Sequence, residues 1–81
     1  MTNEEIAALV IKYFLQEGYQ FPSHFEHRYD QYSSAILYSL IREYKPKFCL
    51  EIGTWLGGST SIIMAALMKN GDPYKFVASE L

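Results

Sequence analysis

The run Phe48-Cys49-Leu50-Glu51-Ile52 is followed at once by Gly53, then by Gly57 and Gly58, then by a stretch with helical periodicity. A short apolar run that ends on glycine reads as a strand, and one without alternation reads as a strand buried on both faces of a parallel sheet. Ile62, Ile63, Ala66 and Leu67 mark the helix after it, and Asn70-Gly71-Asp72-Pro73 closes that helix with a C′ glycine and a proline beyond. Lys75-Phe76-Val77-Ala78-Ser79 then predicts a second strand, with Glu80 near its end. The pattern is one β-α-β unit, whose strands are expected to run parallel with a right-handed crossover.

Two helices are expected ahead of this unit. Thr2 and Glu5 have capping-box spacing, and Ile6, Leu9, Val10, Tyr13 and Phe14 form an apolar stripe. The first helix is therefore expected over about Asn3 to Glu17, closed by Gly18. Ser23 and Glu26 repeat the capping spacing, and Asp30 offers a second start. Ile36, Leu37, Leu40, Ile41 and Tyr44 are expected on one face of the second helix, with Arg42 and Glu43 pointing away. Pro46 disfavours helical geometry at Lys45 and ends it. Residues 1–30 are thus read as an N-terminal helical cover. Residues 31–81 are read as the first β-α-β portion of an α/β, Rossmann-like domain.

Composition narrows the class. Of the 81 residues, 49% are hydrophobic and 16% aromatic, which is globular and not disordered. A chain this short buries only roughly 60–65% of its unfolded surface, so the core is expected to be marginal. A two-stranded parallel sheet does not stand by itself. The chain is accordingly expected to be the front of a longer protein, or to complete its sheet with another chain. A net charge of −2 with mixed signs leaves no basic stripe for nucleic acid. No run approaches the roughly 18 apolar residues that span a bilayer. The single cysteine, Cys49, fits a reducing compartment, and a cytoplasmic location is expected.

Ligands of open α/β sheets bind outside the carboxyl ends of the strands, which points to Glu51-Ile-Gly-Thr-Trp-Leu-Gly-Gly-Ser-Thr60. Glycine lets backbone approach a ligand closely, and the free N–H groups of a helix start favour an anion. The spacing departs from the dinucleotide fingerprint, because Trp55 stands where a glycine would meet a pyrophosphate. A nucleoside ligand without a diphosphate is therefore expected, and a nicotinamide-type enzyme is disfavoured. Glu80 lies 23 residues after Gly57, close to the ~20-residue interval at which an acid meets ribose hydroxyls.

From Ile41-Arg-Glu-Tyr-Lys-Pro-Lys-Phe-Cys-Leu-Glu-Ile-Gly-Thr-Trp-Leu-Gly-Gly-Ser-Thr60 the chain resembles class I S-adenosylmethionine-dependent methyltransferases. It is most similar to the catechol-type small-molecule O-methyltransferases, whose loop reads roughly E-[LI]-G-x-[YFW]-x-G-x-S. The resemblance covers about Tyr32 to Glu80. It implies a cofactor-binding set of Glu51, Gly53, Thr54, Trp55, Gly57, Ser59 and Glu80. Glu51 and Gly53 would sit beside the methionine amino group and Trp55 against the methionyl chain. Ser59 would hold the carboxylate with the helix N-terminal amides, and Glu80 the ribose. The implied partner is a small-molecule substrate, and a homo-oligomer is left open. The family's divalent-metal ligands, its general base and its substrate groove come from segments after the second strand. No catalytic residue is therefore named, and the 81 residues alone are expected to be inactive. The rival reading is a truncated Rossmann-like module that binds a nucleoside or a protein without catalysis.

The remaining residues read more plainly. Cys49 is a small buried hydrophobe. His24, His27 and Asp30 share a helical face, yet lack a fourth ligand and are read as structural or solvated. The seven tyrosines are read as amphipathic packing residues, although the resemblance sets Tyr29 and Tyr32 near the ligand.

Overall fold

Thr2 and Glu5 begin the first helix as their spacing predicts. The Glu5 N–H donates to Thr2 Oγ1 (3.1 Å) and the Thr2 N–H to Glu5 Oε1 (2.8 Å). The second of these bonds holds the Glu5 carboxyl below its ordinary value. In the computed structural model, which describes residues 1–20, 31–53 and 58–79, helix α1 spans Asn3–Leu9. It continues through a π-helical segment, Val10–Leu15, and stops at Gly18, whose φ is 69°. The expected single α-helix to Glu17 is thus corrected: its second half is wound more widely. Ser23, His24, Glu26, His27, Tyr29 and Asp30 lie outside the described residues.

Helix α2 covers Gln31–Tyr44 and ends on Lys45, which takes φ 48° and donates its N–H to the Ile41 carbonyl (2.9 Å). Strand β1, Phe48–Ile52, pairs in parallel with β2, Lys75–Ser79, in the register Cys49↔Phe76 and Glu51↔Ala78. Between them runs α3, Gly58–Asn70, closed by Gly71 at φ 77°. The architecture is a small α/β domain with a β-α-β unit.

The core lies where α2 meets α3. Tyr38 and Ile41 pack there with Ile62, Ile63, Ala66 and Leu67, and Cys49 and Phe76 press one face of the sheet against them. Burying an aliphatic side chain of this size contributes about 1.5–3 kcal/mol. Ser34, Ala35 and Ser39 are also buried, and Ser39 donates to the Ala35 carbonyl (2.7 Å), so small side chains line the packed face of α2. Two expectations for α2 are corrected here. Tyr44 is 65% exposed while Tyr38 is 3%, and Arg42 points inward to a set of hydrogen bonds.

The sheet carries a fourth correction. β1 is not buried on both faces, because Phe48, Leu50 and Ile52 are 58%, 57% and 65% exposed. Alternate side chains point to opposite sides, so Cys49 and Glu51 face the helices and the other three face away. Val77 of β2 shares the open face by register with Leu50. Among the described residues no helix is long and apolar enough to cross a membrane.

Candidate functional site

The carboxyl ends of β1 and β2 are flush, with Ile52 opposite Ser79. Gly53 leaves β1 at φ 80°, in the left-handed region, and its N–H donates to the Ser79 carbonyl (2.7 Å). That bond ties the first residue of the turn to the last residue of β2. A side chain at position 53 would be strained at this φ.

Glu51 stands two residues earlier, half-buried, on the face turned toward the helices. Its carboxylate accepts from two hydroxyls at the start of α3: Ser59 Oγ donates to Oε2 and Thr60 Oγ1 to Oε1. The acid of one strand is thereby tied to the first turn of the helix that follows. An anion near a helix N-terminus is also favoured by the helix dipole.

Of the expected site residues, the structure therefore brings Glu51, Gly53 and Ser59 together at one end of the sheet. Thr54, Trp55, Gly57 and Glu80 lie outside the described residues. Tyr32 lines an apolar groove between α1 and α2. Cys49 faces the core, and burial pushes its thiol above the ordinary value, as suits a packing residue.

Chemically, the cluster offers a carboxylate for a cation and a helix start for an anion. The methionine end of the expected cofactor has both, an ammonium and a carboxylate, so the donor set fits it in kind. One feature runs against a simple fit. A hydroxyl has a single proton, and Ser59 and Thr60 both give theirs to Glu51. A ligand carboxylate would receive the Ser59 proton only if that hydroxyl turned away from Glu51.

Sequence reasoning missed a second polar cluster, away from the strand ends. Arg42 Nε donates to Glu17 Oε1 (2.9 Å) and Oε2 (3.1 Å), its Nη2 donates to Oε2 as well, and Nη1 donates to Asn70 Oδ1 (2.5 Å). Tyr38 donates to Glu17 Oε1 (2.6 Å), and Asn70 Nδ2 to the Ile41 carbonyl (3.0 Å). The Arg42 hydrogen bonds hold the Glu17 carboxyl below its ordinary value. Desolvation, reinforced by Glu17, pushes the Tyr38 hydroxyl up to about 12. A signal was present: Tyr38 and Arg42 are four residues apart on one helix and so share a face.

No protein-family model, curated protein or solved structure matches the chain.

Proposed function

We propose that this chain forms the cofactor-binding front of a class I S-adenosylmethionine-dependent methyltransferase acting on a hydroxyl of a small molecule. The observation that carries the reading is the meeting of Glu51, Gly53 and the first turn of α3 at the carboxyl ends of two parallel strands. That is where open α/β sheets take their ligands. The loop sequence E-I-G-T-W-L-G-G-S supports the choice of cofactor.

In this reading Glu51 accepts from the ammonium of the methionine end, and Gly53 keeps the turn free of a side chain beside it. Ser59 and the amides of the α3 start hold the carboxylate once the hydroxyl has turned. Thr54, Trp55, Gly57 and Glu80 are assigned from the sequence alone, Trp55 to the methionyl chain and Glu80 to the ribose. When bound, the cofactor supplies a methyl group activated on sulfonium sulfur. The chain's own share is positioning, which contributes much of the rate in such a transfer. The single Cys49 fits a reducing compartment, and a cytoplasmic location is part of the proposal.

One observation favours a second reading, a Rossmann-like module that binds without catalysis. Both oxygens of the Glu51 carboxylate already accept from protein hydroxyls. Calorimetric titration with S-adenosylhomocysteine tests the first reading, and Glu80→Ala, which removes the proposed ribose acceptor, is its control.

A further inference from the structure

The helical segment from Asn3 to Gly18 is attached very unevenly. At its N-terminal end Ile6, Ala7 and Val10 face Ala35 and Ile36 of α2 across an open apolar groove of about 350 Å³. No side chain of Asn3–Leu15 is buried. The segment's attachment is concentrated at its other end. There Phe14 and Tyr19 ring Tyr38, with centroids 5.9 and 5.0 Å away, and Glu17 receives Arg42 and Tyr38. Tyr13 adds a hydrogen bond to Glu43 (2.7 Å), and the Arg42 guanidinium lies 5.0 Å from the centre of its ring.

We propose that residues 3–18 form a strap latched to the domain by the Glu17–Arg42 pair, and that the strap opens as a unit while α2, α3 and the sheet stay folded. The warrant is the contrast between the two halves of the domain. The core between α2 and α3 contains Ile62, Ala66 and Leu67 at essentially zero exposure, whereas the strap contributes only half-buried groups. Elements with few buried apolar contacts open first. An ion pair that is largely shielded from water is costly to break one-sidedly, because the partner left behind stays poorly solvated. Opening would bare the Tyr38 and Ala35 face of α2.

The latch also gives the strap a pH dependence. The groups facing Glu17 are Arg42 and Tyr38 from α2, with Asn70 reaching Arg42 and Lys69 adding its charge from α3. Lys12 and Tyr13 of the strap meet Glu43 of α2, a second and more exposed contact. The folded Glu17 carboxyl titrates lower than in the open strap. Its contribution is therefore complete above the ordinary carboxylate range, near pH 4.5, and is lost as pH falls through the depressed value.

Hydrogen exchange on the whole chain tests this, comparing amides of residues 6–18 with those of 60–68. Glu17→Gln is expected to speed exchange in 6–18 by about tenfold or more while 60–68 changes less than about twofold. In the parent chain, protection of 6–18 relative to 60–68 should hold from pH 7 to about 5 and fall below that, whereas in Glu17→Gln the ratio should fall much less. Equal acceleration in both segments, no change in either, or a Glu17→Gln chain that fails to fold at all would each overturn a separable strap. A parent ratio that stays flat down to pH 3 would overturn it as well.

Discussion

The carboxylate of Glu51, near the end of β1, receives the hydroxyl proton of Ser59 in the first turn of α3. The bond spans the strand-to-helix turn on which the functional reading depends. It serves the fold as it stands, fixing the start of α3 against the strand. It also sets the terms for any ligand, which must compete with a protein hydroxyl for that carboxylate.

Thr60 shares Glu51, and its contribution can be separated from ligand binding. Thr60→Val keeps the side-chain shape and removes the donor, leaving one carboxylate oxygen of a half-buried acid without a partner. The expected loss is about 1 kcal/mol, read as a lower urea midpoint at unchanged slope. An unchanged midpoint would mean that the contact does not hold the helix start.

Core and sheet face should respond very unequally to substitution. Ile62→Ala removes a side chain with no exposure and is expected to cost about 2–5 kcal/mol, enough to abolish a cooperative transition in a domain this small. Leu50→Thr, on the open face of β1, should stay within about 0.5 kcal/mol of the parent. Chemical denaturation followed by far-ultraviolet circular dichroism reads both. A large loss for Leu50→Thr would show that the outward face is packed in solution.

Gly53 tests the turn itself. At φ 80° an alanine is expected to cost about 1–2 kcal/mol from backbone strain alone. Gly53→Ala should therefore lower the urea midpoint, and equal stability would mean that the turn relaxes to another conformation.

Much of this arrangement was legible in the residues. The apolar run at Phe48–Ile52, the stop at Asn70-Gly71-Asp72-Pro73 and the Thr2/Glu5 box each rest on local chemistry, and each element stands where that chemistry puts it. What depended on neighbours was not legible. Helix α2 carries apolar groups on several sides, so its periodicity left the packed face ambiguous. The buried face carries the small residues Ser34, Ala35 and Ser39, and Tyr38, whose hydroxyl finds Glu17. Tyr44, larger and more hydrophobic to the eye, was left in solvent. Arg42 reads as a surface charge unless Glu17 and Asn70 are known to converge on it. Alternation along β1 was masked because Phe48, Leu50 and Ile52 are apolar yet face away from the helices. At the candidate site the sequence singled out Glu51, Gly53 and Ser59, and could not reveal that Ser59 and Thr60 are already bonded to Glu51.

The most direct measurement is calorimetric titration of the protein with S-adenosylhomocysteine, run beside NAD as a competitor class. A site for the methionine-derived nucleoside predicts saturable heat with S-adenosylhomocysteine and none with NAD. It also predicts weakening by about tenfold or more in Glu80→Ala, the scale of losing a hydrogen bond to a charged group. Saturable heat with NAD and none with S-adenosylhomocysteine would contradict the methyltransferase reading outright.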